Sequence, residues 1–315
     1  MAAPGNYSKL CAAIGQVMQS GGYIERLASL GPPLERVLRY AQAFNDRSGD
    51  PHRALTHTCM HVQQAPGFPC FEGLRHQAFR EPGSLAGPAV LERHFSTIRD
   101  EYRALQDTDL LVYTPKTMVN LWAVYLFHHM GVNLEPLAAR CPQTSQIVQN
   151  LPRVCLDYPY GDALFSVHAS DSHLKPHCSI DNLRVRCHMG IDVQPGCEMR
   201  VGTETRSWQE GKTLLFEDSI EHEVWNRGAV RRAILIVDFW HPDLTELEIR
   251  ALQAGFRKVE VRRLFHLDRL RMIPNVPQRY VQYLEAVLPE QDHDPLIEEF
   301  WPRQVPQHSP VDFLK

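Results

Sequence analysis

Asn182-Leu183-Arg184-Val185-Arg186-Cys187-His188-Met189-Gly190 is the stretch that decides the fold class of this chain. Charged or polar side chains at 184, 186 and 188 alternate with apolar ones at 183, 185, 187 and 189, a period of two that a strand satisfies and a helix does not. Further strand-like runs follow, each bounded by turn residues: Cys197 to Val201 before Gly202, and Thr213 to Phe216 after Gly211. Glu223 to Trp225 before Asn226-Arg227-Gly228, and Ala233 to Phe239 before His241-Pro242, complete the series. Short strands at this spacing predict a β-sandwich or small barrel.

On either side of that core the period changes. Leu34, Val37, Leu38, Ala41 and Phe44 lie on one helix face, and Leu91, Phe95, Ile98, Tyr102 and Leu105 on another. Between them, from Pro51 to Pro88, recurrent Pro and Gly predict irregular connecting structure. After Pro242 the helical period returns in Leu244 to Phe256, and after Pro277 in Tyr280, Val281, Leu284 and Val287. These helices are expected to pack on the barrel or to form a homodimer contact, and the Pro-rich, acidic stretch from Glu290 to Lys315 to be a loosely ordered tail. The division expected is a helical extension over 1–85, a β-domain with its leading helices over 86–245, and a helical extension and tail over 246–315.

Composition excludes more than it selects. The chain has 315 residues, 43% hydrophobic and 22% charged, with a net charge of -4, which leaves no electrostatic footprint for nucleic acid. The first 22 residues lack a secretory pattern, and no apolar run is long enough to span a bilayer, so a cytoplasmic protein without membrane attachment is expected. Eight cysteines without a CxxC pair predict reduced, structural thiols and no disulfide.

A single histidine in a strand is usually structural, but several here share a geometry. His222 and Arg232 flank the turn Asn226-Arg227-Gly228; a hairpin there would set them opposite each other with Cβ atoms about 4.5–5.5 Å apart. Arg186 and His188 share a strand face. Imidazoles from strands distant in sequence can converge at a barrel mouth on an iron that keeps open positions, and His177 and His222 are placed for that. A keto-acid cosubstrate would also need a forked, always-charged donor, which arginine provides better than lysine. Cys178 and Cys187, next to key histidines, point to the opposite strand face and read as packing. His128, His129 and His241 read as surface or structural, and Asp218 as shaping the turn before His222.

The ordered segments 165–167 (Phe-Ser-Val), 175–177 (Lys-Pro-His), 182–190, 208–212 (Trp-Gln-Glu-Gly-Lys), 217–225 (Glu-Asp-Ser-Ile-Glu-His-Glu-Val-Trp) and 237–242 (Val-Asp-Phe-Trp-His-Pro) resemble the catalytic domain of the aspartyl/asparaginyl β-hydroxylases. A fainter likeness reaches back to about Phe71, where Arg99-Asp100-Glu101 and the region of Trp122 look similar to that family's leading helices. The resemblance implies a double-stranded β-helix (jelly-roll, cupin-like) core that uses Fe(II), 2-oxoglutarate and O₂ to hydroxylate its substrate. It implies His177 and His222 as metal ligands and Ser166, Arg186, His188 and Arg232 as the 2-oxoglutarate site. Arg232, helped by Ser166, would take the distal carboxylate, and Arg184 would lie near the substrate.

Where most oxygenases of this kind carry a third, carboxylate ligand, this chain has Ser179, a departure that the resembled family shares. Asp181 lies roughly 13 Å from His177 along an extended strand, too far to substitute. The vacated position also suits a chloride-using halogenase acting on a small metabolite, and a catalytically silent cupin-like binding protein is the non-enzyme alternative. The chain shows no luminal anchor, no tetratricopeptide repeats and no close cysteine pair between Gly131 and Pro152. Those differences turn the substrate expectation toward a peptide, an amino acid or another small molecule.

Overall fold

The strand read from residues 182–190 lies at the centre of the molecule. The computed structural model describes residues 4–46, 67–113, 118–129, 131–134, 138–270 and 294–303, with single residues 282 and 286. The chain opens with α1 (Pro4–Ser20), α2 (Tyr23–Leu30) and α3 (Glu35–Asp46). A short β1 (Phe79–Arg80) leads to α4 (Gly87–Arg93) and α5 (Phe95–Ala104). Next come β2 (Leu111–Tyr113), β3 (Met118–Val119), β4 (Trp122–His129), β5 (Val132–Asn133) and α6 (Pro142–Gln149). The central strands are β6 (Ala163–His168), β7 (Ser172–His177), β8 (Arg184–Asp192) and β9 (Cys197–Val201). They continue with β10 (Glu204–Ser207), β11 (Thr213–Phe216), β12 (His222–Asn226) and β13 (Arg232–Trp240). The C-terminal helices are α7 (Glu246–Arg257), α8 (Val259–Leu270) and α9 (Pro295–Phe300).

Among the described residues the strands form two antiparallel sheets. The larger runs β1-β11-β8-β13-β6-β4-β2, with β5 beside β4; the smaller runs β10-β9-β12-β7-β3. From β6 onward the chain passes back and forth between the sheets, which is the double-stranded β-helix. Residues of β13 alternate between two apolar layers. Ala233, Leu235, Val237 and Phe239 pack under α4, α5 and α6, while Ile234 and Ile236 face the space between the sheets. All nine residues of β13 are buried, so both faces contribute, at about 1.5–3 kcal/mol for each large aliphatic side chain.

Three expectations are corrected. β12 pairs with β7 and β9 in the small sheet, whereas β13 pairs with β6 and β8 in the large one, so His222 and Arg232 are not hairpin partners. The connection crosses between sheets and is held by Asn226, whose amide donates to Ala169 O and Val230 O at 2.9 Å each. Trp122 begins a strand rather than belonging to a helix, since Trp122-Ala-Val-Tyr-Leu-Phe is rich in residues that pack on a pleated sheet, and it pairs with His168. Part of the supposed tail is docked: Ile297, Phe300 and Trp301 are buried, and the Trp301 ring stacks on Tyr23 at 5.0 Å. His128 and His129, read as surface or structural, are both buried, and His129 is bonded to Asp162. The helix expected at 280–287, apart from the two described helical residues Gln282 and Ala286, residues 51–66 with Cys59, and 304–315 lie outside the described residues.

The N- and C-terminal helices form one layer. Side chains of α1, α2 and α3 share an apolar cluster with those of α7, α8 and α9 and with Leu183 and Trp240 of the β-core. Arg36 on α3 grips Glu248 on α7 with two hydrogen bonds of 2.7 and 2.6 Å, and Glu248 also closes the capping box with Thr245. Ile249, Leu252 and Phe256 of α7 and Val261, Leu264 and Phe265 of α8 are covered within the chain by this cluster.

Burial pushes the pKa of His128 down to about 4, and neither ring nitrogen has a partner among the described residues. Because the folded value lies below the unfolded 6.5, this contribution to stability is complete above pH 6.5 and is lost as the pH falls toward 4. About 2 kcal/mol should be gone by pH 5. Urea unfolding at pH 7 and pH 5 checks this: His128→Leu should lose about 2 kcal/mol less than the wild type between the two. Equal losses would show that His128 is not the sensitive group.

Candidate metal and cosubstrate site

His177 closes β7 and His222 opens β12, and the register pairs them directly. Their ring centroids are 4.2 Å apart. Each Nδ1 lies against the carbonyl two residues before it, His177 on Lys175 O at 2.7 Å and His222 on Ile220 O at 2.9 Å. A carbonyl only accepts, so both Nδ1 atoms carry the proton and both Nε2 atoms keep a lone pair, the tautomer a metal requires. Burial holds both pKa values below the usual histidine range, and for His222 the neighbouring His177 lowers it further. At neutral pH the two rings are therefore uncharged ligands in waiting.

Among the described residues no group of three His, Cys, Asp or Glu forms around this pair. Ser179, at the place of the usual carboxylate, accepts a 2.6 Å hydrogen bond from Arg184 Nη2. Asp181 is turned elsewhere, accepting from Tyr158 Oη at 3.1 Å and from Leu183 N at 3.0 Å. Two imidazoles with free Nε2 lone pairs and no third protein ligand among the described residues fit a metal that also takes a chelating cosubstrate.

A line of rings leads inward from His222. Phe216 lies 5.6 Å from it, His188 4.7 Å from Phe216, and Trp208 stacks on His188 at 6.0 Å. The Arg232 guanidinium lies 4.7 Å over Trp208. Arg232 is 1% exposed, yet its Nε and Nη1 have no hydrogen-bond partner among the described residues. Burial draws its pKa down to about 10. Both nitrogens of His188, Nδ1 of His168 and Nε1 of Trp208 are likewise buried without partners. Native interiors rarely leave so many donors unmet in one place, and a ligand with a carboxylate and further acceptors would satisfy them. Ser166 stands on the same face of β6 as His168, the cross-strand partner of Arg232, and accepts from Trp122 Nε1 at 3.0 Å.

Arg184 and Arg186 behave differently. Arg186 forks onto Asp238 at 2.8 and 2.7 Å and lies 3.3 Å from Asp218. Arg184, expected near the substrate, is enclosed: it is 1% exposed and taken up by Asp238 at 2.9 Å, Asp218, Asp181 and Ser179. Burial opposes its charge, but these carboxylates hold its pKa well above the ordinary value. It braces the site rather than facing a cleft.

The sequence reading gave no site role to Trp122, Trp208 or His168. His168 was legible, since it lies two residues after Ser166 on one strand face. Trp208 depends on a close approach that only the fold shows: the 209–211 turn rests against Gly190, where a Cβ would sit 2.4 Å from Gln209 O. Glycine at 190 lets that turn seat Trp208 beneath Arg232.

Residues 92–242, which contain all these positions, match the family model described as Aspartyl/Asparaginyl beta-hydroxylase. The human protein named Aspartyl/asparaginyl beta-hydroxylase is 35% identical over 191 residues, 58% of this chain and 25% of that one. Aspartate beta-hydroxylase domain-containing protein 2 of Xenopus tropicalis is 31% identical over 176 residues, 53% of this chain and 48% of that one. Aspartate beta-hydroxylase domain-containing protein 1 of Mus musculus is 38% identical over 120 residues, covering 37% and 33%. The chain thus spans between a quarter and about half the length of these relatives.

An unpaired buried guanidinium costs about 1–3 kcal/mol of stability. Arg232→Met should accordingly raise the resistance of the ligand-free protein to urea by about that amount, and abolish any stabilisation by added 2-oxoglutarate. Unfolding curves with and without the keto acid decide it. A less stable variant would mean that Arg232 already has a partner.

Proposed function

We propose that this chain is an Fe(II)- and 2-oxoglutarate-dependent dioxygenase that hydroxylates an Asp- or Asn-like residue in a peptide or amino-acid-type substrate. The observation that carries the reading is the pairing of two metal-ready imidazoles, His177 and His222, with a buried arginine that lacks a counter-charge at the far end of the same interior. The match over residues 92–242 supports it.

Fe(II) with 2-oxoglutarate and O₂ would supply the oxidising power, coupling loss of CO₂ from the keto acid to oxygen insertion into a C–H bond. The chain's own residues bind and orient. His177 and His222 hold the metal from adjacent strands, each fixed by its carbonyl contact, and leave the remaining positions open. Arg232 offers its fork to the distal carboxylate, with the Ser166 hydroxyl beside it and the Trp208 face closing the pocket. In this dry interior the pair is stronger than it would be in water. His188, kept neutral chiefly by burial, presents a ring nitrogen between the two ends. Arg186, tied to Asp238, sets a rigid wall near the metal end.

Anaerobic titration should give about one Fe(II) per chain, with binding weakened and 2-oxoglutarate turnover abolished by His177→Ala or His222→Ala. Arg232→Ala should spare iron and weaken 2-oxoglutarate by roughly 2–5 kcal/mol, which is 30-fold or more, and Arg232→Lys should recover only part. Succinate release with a one-oxygen mass gain in a substrate panel completes the test; chloride incorporation would instead favour the halogenase. Unchanged iron affinity in both histidine variants would remove the site.

Ser179→Asp should fail to raise turnover at saturating iron and cosubstrate. The Arg184 guanidinium that now donates to Ser179 would capture the new carboxylate before a metal could. A clear gain in activity would mean that the wild-type site is degenerate.

A further inference from the structure

A cleft of about 530 Å³ opens where the two sheets end side by side. One wall is the segment 76–81, which contains β1, the terminal strand of the large sheet; the other is Gly202, Thr203 and β10, the terminal strand of the small sheet. Each wall therefore contains a strand that ends its sheet among the described residues. Phe79 lines the cleft, its ring under the Arg206 guanidinium at 4.5 Å and 6.3 Å from the Phe216 ring. Phe216 is itself 5.6 Å from His222, and Gly202 follows Val201, a cross-strand partner of His222. The cleft is thus one aromatic ring away from the histidine pair.

Its size and chemistry indicate what fills it. The volume falls within the range of about 300–1,000 Å³ that suits a ligand larger than one amino acid. Free strand edges are complementary to extended peptide backbone. At the rim, Arg206 and Glu204 lie 3.5 Å apart and offset each other, whereas Glu81 is exposed and makes no ion pair among the described residues. The uncompensated rim charge is negative, which favours a basic side chain. Glu81 and β1 also lie outside the matched residues 92–242, so this wall belongs to the part of the chain where the family match gives no guidance.

We propose that this cleft receives the segment flanking the oxidised residue of an extended peptide, and that Glu81 selects a Lys or Arg side chain in that segment. The inference rests on the hydroxylase reading above and adds to it the class of substrate. The test uses fluorescein-labelled nonapeptides centred on Asp or Asn, alike except for Lys, Ala or Glu on either side of the centre. Binding is read by anisotropy to protein loaded with Zn(II) and 2-oxoglutarate, so that turnover is not needed. Lys-flanked peptides should bind about three- to tenfold more tightly than Glu-flanked ones, as expected when one exposed ion pair replaces one like-charge repulsion. Glu81→Gln should remove the preference and Glu81→Lys should reverse it, with iron and 2-oxoglutarate affinity unchanged. Absence of any charge preference, a preference that survives Glu81→Lys, or equal competition by free aspartate would overturn the groove. If the preference follows Glu81 while the iron-loaded wild type releases no succinate, the groove stands and the hydroxylase reading fails.

Discussion

The fork of Arg186 on Asp238, across the register of β8 and β13, is the interaction on which the rest of this structure depends. It allows a sheet face carrying two arginines and a histidine to be turned into the space between the sheets. A buried charge is tolerated only when it is paired and hydrogen-bonded, and the Arg184–Arg186–Asp218–Asp238 cluster meets that condition with Asp181 and Ser179 at its edge. With the register fixed in this way, His188 falls between Leu214 and Ile236 on neighbouring strands.

The same interior treats its three arginines in opposite ways. Arg184 and Arg186 are surrounded by carboxylates, which hold their charge and fix their direction. Arg232 makes no ion pair among the described residues, and its pKa falls to about 10 because burial outweighs the opposing influence of Cys197 and Tyr102. Arg184 and Arg186 are matched within the chain, while Arg232 keeps Nε and Nη1 unmatched among the described residues. The unmet nitrogens of His188, His168 and Trp208 gather on the side of Arg232, away from the ion-paired Arg184 and Arg186.

Much of the β-core could be read from alternation and turns. Cys197–Val201 and Thr213–Phe216 have the bounds their flanking glycines suggested, because a strand ends where a left-handed or closely packed residue must follow. The hairpin expected about Arg227 was misplaced for a physical reason. A turn sequence states that the chain reverses, not that its two arms bond to each other, and in a two-layer fold the arms can belong to different layers. The strand of Trp122 was also missed, since eight nearly continuous buried residues carry no period. The helical layer was visible as helices but not as one layer, for the Arg36–Glu248 contact joins positions far apart in sequence.

By itself the sequence determined that a strand runs through residues 184–190, that short strands surround it, and which imidazoles and arginines could carry chemistry, because side-chain period and residue type are local properties. It did not determine which face of that strand is buried. Arginine-rich faces usually meet water, and this one is enclosed only because Asp238, from a strand more than forty residues later, is brought opposite Arg186. The facing of His177 and His222, the seating of Trp208 against Gly190 and the isolation of Arg232 follow from the same packing. Each of these is a relation between strands, and only the tertiary structure sets strands side by side.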